Sequence, residues 1–421
     1  MPFKRTLLGS TYLGGSQLAS ISIQALAIPH LTHALGPSGW GLLAFVLLIS
    51  NYASWICNWG FYLEGTQRVA ASRQCRSSLG HILRVGIITQ VTLFIAVSTF
   101  TFLIFSLFSS LHQYYDLYFC GIGLVLATAI TPLWFVNGLE KFGIFALINI
   151  LPKALSLPLM YLFVNSKSDL RSYLLILSLS AIVSAVLLLW SLRPFLFETY
   201  ERRPQEGFCL STINTLKNGF PSFSSSIIAS LSSGSVFWIL PLFLPISSLG
   251  YFALVDKIRG YQVTITQPVT AALFPRMCAI ASQGSPCDLR IVLFKPFIAL
   301  MIAASFISSF LFVFSSDVIL LFAPSDFLPS SLEPFRIICF APVFTILLAF
   351  ITHQVLIPSG RHRQYLNICI LQTTILPALL FVLVPLYALP GASLSVLLTE
   401  VITALYSVFC VRKIFSSSSA C

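Results

Sequence analysis

Four long stretches without a charged residue constrain this chain more than anything else in it. Between Arg5 and Glu64 lie 58 residues with no Asp, Glu, Lys or Arg; 31 separate Arg84 from Asp116, 38 separate Lys217 from Asp256 and 36 separate Arg363 from Glu400. Each run exceeds the roughly 20 apolar residues that cross a bilayer. Only 9% of the residues are charged and 57% are apolar, against roughly a quarter charged in soluble domains, so a soluble globule is excluded. The runs also lack the short alternating segments of an outer-membrane barrel. The fold class is therefore all-α and polytopic. The opening Met1-Pro2-Phe3-Lys4-Arg5 is basic, but the apolar stretch behind it is longer than a signal peptide's and no Ala-x-Ala-like site closes it, so it reads as a first membrane helix.

Splitting the runs at charges and at Pro, Gly and Asn clusters predicts twelve helices, near 8–28, 39–62, 82–108, 117–136, 143–164, 172–192, 218–244, 249–272, 291–314, 334–357, 365–386 and 391–411. With the N-terminus inside, eighteen Lys and Arg residues fall on the cytoplasmic side, Lys167 and Arg171 fall outside, and Arg336 sits at an outer helix end. That asymmetry places both termini in the cytoplasm. It also accounts for the net charge of +11 without a nucleic-acid partner. The longest polar break, 193–214, follows helix six, giving a six-helix bundle at 1–192, a cytoplasmic linker at 193–217 and a second six-helix bundle at 218–421. Halves of six run in the same direction, so a repeat would be parallel. Gly39-Trp40 and Gly250-Tyr251 open helices two and eight and are followed at similar distance by Arg68 and Arg276, although such pairs also occur without a repeat. No CxxC pair occurs, and the cysteines read as apolar fillers or free thiols.

Charge in hydrocarbon costs at least about 2.5 kcal/mol, so intramembrane ionisable residues face cavities or partners. The set here is Lys153, Asp256, Lys257, Arg259 and Glu400, with Glu64 and Glu140 at helix ends. Asp256 and Arg259, three apart, can pair on one face; Lys257 diverges from Arg259 by about 200° around the helix. Lys257 then either lines a cavity or bonds carbonyls of a neighbouring helix. Lys153 adjoins Pro152, where a kink would open toward a cavity, and it could equally pair with Glu400 or Glu140. Glu400 suits a coupling proton or cation, and a hydrogen-bonded neutral Glu explains it as well. His30 and His33 lack the carboxylate or Cys company of a metal site. No GxGxxG or GxxxxGK[ST] is present, so ATP does not drive the protein directly and no cofactor is expected, a proton or Na⁺ being the candidate coupling ion.

Four segments in order carry a family resemblance. They are Pro29-His-Leu-Thr-His-Ala-Leu-Gly36 with Gly39-Trp-Gly41; Asn58-Trp-Gly-Phe61 with Glu64-Gly-Thr-Gln-Arg-Val-Ala70; Pro132-Leu-Trp-Phe-Val-Asn-Gly-Leu-Glu-Lys141; and Leu249-Gly-Tyr-Phe-Ala-Leu-Val-Asp-Lys-Ile258 with Leu273-Phe-Pro-Arg276. Together they resemble the Wzx-type O-antigen and polysaccharide repeat-unit flippases of the multidrug/oligosaccharidyl-lipid/polysaccharide exporter superfamily. Asn58 replaces that family's usual Asp, and Asn137 its Gln. The resemblance implies two six-helix bundles around a central cavity. It also implies movement of an oligosaccharide on undecaprenyl pyrophosphate from the cytoplasmic to the periplasmic leaflet of the bacterial inner membrane. Lys257, Lys153, Arg68 and Arg276 are candidates for the diphosphate. Asn51, Trp55, Tyr261, Gln24, Asn149 and Gln262 are candidates for the sugars. Asp256, Arg259, Glu64, Glu140 and Glu400 are candidates for coupling or gating. Partners would be the lipid-linked oligosaccharide, membrane lipid, and a polymerase and chain-length regulator of the same pathway.

Three functional rivals compete with this reading, beside a mainly structural membrane scaffold, which would show no cavity-facing Lys257. A multidrug exporter of the same superfamily carries cations and would favour an acidic cavity. A flippase for the peptidoglycan precursor is expected to carry two further C-terminal helices. An enzyme of the pathway, a repeat-unit polymerase or ligase, would be expected to hold basic catalytic residues in a large outer loop, and the longest such loop expected here, 315–333, has neither Lys nor Arg. The chain is therefore read as a transporter and not an enzyme.

Overall fold

The computed structural model describes residues 2–73, 75–107, 112–140, 142–197, 208–282 and 286–416. Among these the chain is helical, without a β-strand. The helices fall into two compact units. One comprises residues 1–27 and 45–230, the other 28–44 and 231–421.

The first unit contains most of α1 (Pro2–Asn58), then α2 (Glu64–Ala71), α3 (Arg76–Leu107), α4 (His112–Ile130), α5 (Leu133–Leu139), α6 (Phe142–Phe163), α7 (Leu170–Leu196) and the first part of α8 (Phe208–Phe243). Pro132 ends the path of α4, since it has no N–H to donate and clashes with a continuing helix. Helix α6 shows why this unit belongs in a bilayer. Leu147, Leu151, Leu155, Leu159 and Leu162 make an outward stripe, each at least 40% exposed, while Asn149 and Lys153, four residues apart, share another face. An apolar exterior with the polar side chains turned inward is the pattern hydrocarbon solvates.

The second unit continues with the rest of α8, then α9 (Ile246–Ser282), α10 (Pro286–Val313), α11 (Ser315–Phe322), α12 (Leu328–Ile338), α13 (Ala341–Ile351) and α14 (His362–Ser416). The expected outer loop at 315–333 is instead largely helical, and His30 and His33 lie within α1. A π-helical turn, Thr352–Leu356, extends α13.

Eight helical spans among the described residues are long and apolar enough to cross a membrane. Two of them, Leu18–Asn58 and Arg363–Arg412, have 41 and 50 residues, about twice what the roughly 30 Å of hydrocarbon needs at 1.5 Å per residue. Each breaks midway, at Gly36 (φ 64°) and at Ala388 (φ 52°). Glycine occupies that left-handed region without strain, and Pro37 behind it suits the first turn of a new helix. Counting each broken helix as two crossings and adding the long helices α8 and α9, the described residues hold the twelve segments expected. The chain is an all-α, multi-pass membrane protein.

One contact inside the second unit is reciprocal. A Cβ on Gly41 would strike the carbonyl oxygen of Ile246 and lie 2.9 Å from the nitrogen of Gly250. A Cβ on Gly250 would strike the carbonyl oxygen of Pro37 and lie 3.0 Å from the nitrogen of Gly41. Each glycine thus faces the carbonyl four residues before the other, so Gly41 and Gly250 are the matched positions.

Candidate functional site

Inside the first unit lies a cavity of about 910 Å³ whose lining mixes apolar and polar residues. Three long helices and one break supply it with stripes at helical spacing. From α1 come Ser50, Asn51, Ser54, Trp55 and Asn58; from α4, Leu124, Ala127 and Thr128, with Thr131 beyond its end; from α7, Leu177, Ala181, Ser184 and Leu188. Gln24, Tyr62, Trp134, Asn149, Lys153 and Phe223 complete the lining that concerns binding. Small and hydroxyl-bearing residues on α4 and α7 leave the space, and amides and aromatic rings border it. Among the described lining residues Lys153 is the one charged group, and no carboxylate accompanies it. Such a chamber offers a cation to an anion, amides to hydroxyls, and indole and phenol faces to a sugar ring.

The floor is held by segments far apart in sequence. Trp134 of α5 is 2% exposed; its Nε1 donates to Gln90 Oε1 at 3.1 Å, and Gln90 Nε2 donates to Asn58 Oδ1 at 3.3 Å. Its ring lies over Gly65 and Gly86, where a Cβ would collide with it, and packs on Phe61 with centroids 5.3 Å apart. The chain of three polar side chains satisfies a buried indole N–H that would otherwise be costly. Beside it, Arg73 donates to the Gly138 carbonyl at 2.6 Å and pairs with Glu140 at 2.8 Å.

Lys153, Asn51, Trp55, Gln24 and Asn149, all expected at a substrate site, are brought together in this cavity. Glu140 pairs with Arg73, so it is not the partner of Lys153. Arg68 stands apart from the cavity lining, in an ion pair with Glu64 and a 3.1 Å hydrogen bond to Thr215 Oγ1.

The remaining candidates belong to the second unit. Asp256 and Arg259 pair at 2.7 Å as their spacing predicts. Glu400, 7% exposed, accepts from Gln372 Nε2 at 3.2 Å and lies within electrostatic reach of Arg259 and Asp256. Lys257 is half-buried on α9 and feels the charge of Asp256. The Tyr261 hydroxyl is buried without a hydrogen-bond partner. Gln262 is buried in helix packing, donating to Ser308 Oγ at 2.8 Å, and does not border the cavity. Arg276 falls on α9, but its side chain lies outside the described residues. Sequence reasoning missed Ser54, Tyr62, Thr128, Ser184 and Phe223 in the lining. The polar spacing Asn51, Ser54, Trp55, Asn58 on an otherwise apolar helix was the available signal.

Several known proteins share this architecture. A structure of the lipid II flippase MurJ in an inward closed conformation matches with a TM-score of 0.69 at 13% identity, covering 96% of this chain and 87% of that one. An inward-facing multidrug resistance MATE family transporter of the MOP superfamily matches at 0.67 and 14% identity, covering 98% and 96%. Among curated proteins, the "Putative O-antigen transporter" of Escherichia coli (strain K12) is 24% identical over 406 residues, 94% of this chain and 95% of that protein. Its namesake in Shigella dysenteriae is 20% identical over 395 residues, covering 92% and 95%. The family model for polysaccharide biosynthesis proteins matches residues 7–281. Resemblance in four motifs, the all-helical fold and this match agree: the chain belongs to the polysaccharide biosynthesis protein family.

Proposed function

We propose that this protein is a flippase for undecaprenyl-pyrophosphate-linked oligosaccharide repeat units of O-antigen or a related surface polysaccharide. It moves them from the cytoplasmic to the periplasmic leaflet of the bacterial inner membrane, with both termini in the cytoplasm. The observation that carries this reading is the cavity holding Lys153, Asn51, Asn149, Gln24 and Trp55, with no acid among its described lining residues. An anionic, hydroxyl-rich headgroup matches that lining; an organic cation does not, because it would meet Lys153 and no carboxylate. The relatives named as O-antigen transporters support the same class. It performs transport without covalent catalysis.

In this reading Lys153 binds the diphosphate, with Lys257, Arg68 and Arg276 as further cations along the route, and Tyr261 joins the sugar contacts. Asp256, Arg259 and Glu400 form the candidate coupling group for a proton or Na⁺, and Glu64 and Glu140 hold gating pairs. The two halves, expected at 1–192 and 218–421 but bounded in the structure at 1–27 with 45–230 and at 28–44 with 231–421, rock to expose the cavity alternately, driven by differential binding in the two states. Polymerase and chain-length regulator act next in the pathway.

The test is transbilayer movement of a defined undecaprenyl-pyrophosphate oligosaccharide in proteoliposomes, comparing wild type with Lys153→Ala and Lys257→Ala at equal reconstitution. Movement by wild type that falls at least tenfold in Lys153→Ala supports the reading, a loss equivalent to about 1.4 kcal/mol of a charge-assisted contact. Folded wild type that moves no lipid-linked sugar but exports organic cations would overturn it in favour of a drug exporter.

A further inference from the structure

The first part of α8 is bound to the cavity's floor by a set of contacts that Trp59 organises. Trp59 follows directly on the end of α1 and has φ 34°, a left-handed conformation that a bulky L-residue adopts only where its surroundings over-determine it. Those surroundings are residues of α8. The indole stacks on Phe223 with centroids 4.0 Å apart and planes 17° off parallel, and its Nε1 donates to the Leu216 carbonyl at 2.9 Å. Gly219 has no side chain, which lets the Trp59 carbonyl come close: a Cβ there would stand 2.7 Å from that oxygen. Gly60, at φ 75°, presses in turn on the Gly219 carbonyl. One turn further back, Arg68, held by Glu64, donates to Thr215 at 3.1 Å.

The positions engaged on α8 are 215, 216, 219 and 223, one face of a helix. Phe223 at the end of this stripe is also a wall of the cavity. The stripe and the cavity wall are therefore the same piece of helix, fastened at the end of the bundle where α1 stops. The fastenings differ from core packing in kind. One side-chain hydrogen bond, one ring stack and a glycine contact clasp a strained residue that relaxes when they part, and the Arg68–Thr215 hydrogen bond stands beside them.

We propose that residues 215–223 of α8 form a strap that walls one end of the first unit's cavity, with Trp59 as its latch and Arg68 as a second catch. Parting the Trp59–Phe223 stack withdraws one wall and opens the chamber at that end. The inference rests on the cavity and not on which molecule fills it, so it can fail or hold independently of the transport reading.

The test uses the full chain in lipid nanodiscs without substrate, with Ser54→Cys as a probe in the cavity lining. Labelling at that position by a membrane-impermeant maleimide, and amide hydrogen exchange of 215–223, are read by mass spectrometry in Trp59→Phe, which keeps a ring but loses the donor, and in Thr215→Val. Each variant is expected to raise both rates about threefold to tenfold, the shift that follows loss of one hydrogen bond, while exchange within α4 and α7 stays as in wild type. Faster exchange of 215–223 with unchanged labelling would overturn the proposal and reduce the contacts to packing. No change in either rate would overturn it too. Faster exchange throughout the unit would show general loosening and count against it.

Discussion

Trp134 and Gln90, 44 residues apart, meet in a 3.1 Å hydrogen bond beneath the cavity. Gln90 is fully buried in α3, and its other end reaches Asn58. Gln90→Leu leaves the indole N–H without an acceptor, a cost of about 1–3 kcal/mol. Gly86→Ala drives a methyl into the same ring, which in a packed site also costs about 1–3 kcal/mol. Thermal unfolding of the purified protein in detergent checks both. Midpoints equal to wild type would remove this network from the account of the floor.

Glu140 occupies φ 58° yet is not glycine. Its carboxylate holds Arg73 at 2.8 Å, with the two side chains 45% and 39% exposed, so the pair contributes at most about 1 kcal/mol. Glu140→Ala loses the pair and keeps the backbone strain, whereas Glu140→Gly loses the pair and relieves the strain. The glycine variant should be more stable than the alanine variant by about 1 kcal/mol. Equal unfolding midpoints would show that the turn carries no strain.

Gly41 and Gly250 press backbone on backbone. No rotamer change can relieve an added methyl there, since the atoms it meets are carbonyl oxygens. Gly41→Ala and Gly250→Ala should each cost about 1–3 kcal/mol or more. The yield of monodisperse protein by size exclusion should drop in both, while Gly143→Ala, with open space around it, serves as the unaffected control.

Cys75 is exposed, and a hydrogen bond with the Ser77 hydroxyl, followed by the backbone at Ser78, holds its thiol below the ordinary range. A lowered value means more thiolate at neutral pH. Among the described cysteines, of which Cys57, Cys339 and Cys410 are buried, Cys75 should take maleimide first at pH 7. Ser77→Ala should slow it there, and the gap should close as pH rises past about 9, where thiolate no longer limits. Preferential labelling of Cys120 or Cys369 would contradict this.

The crossings were legible because hydrocarbon imposes one rule on every residue facing it, and uncharged runs such as 218–255 record that rule directly. Asp256 and Arg259 were legible for a local reason, since three residues fix their geometry within one helix. The gathering of Lys153 with Asn51 and Trp55 could be proposed from residue type but not located, because it depends on helices α1 and α6 meeting through tertiary packing. The tie from Trp59 to α8 spans 157 residues and left no periodic trace. The broken helices were read as separate crossings, yet nothing at Ala388 signalled its left-handed backbone, because alanine ordinarily avoids it.

Lys153 shares its chamber with amides, hydroxyls and rings, and among the described lining residues with no acid. A protonated amine so placed finds no acid among those residues, so an anion from the surrounding medium can pair with it. An anionic headgroup of the proposed kind would compete with that anion, and its apparent affinity would weaken as chloride is raised. Filling the chamber becomes an ion exchange, in which the salt of the surrounding medium competes directly with the cargo.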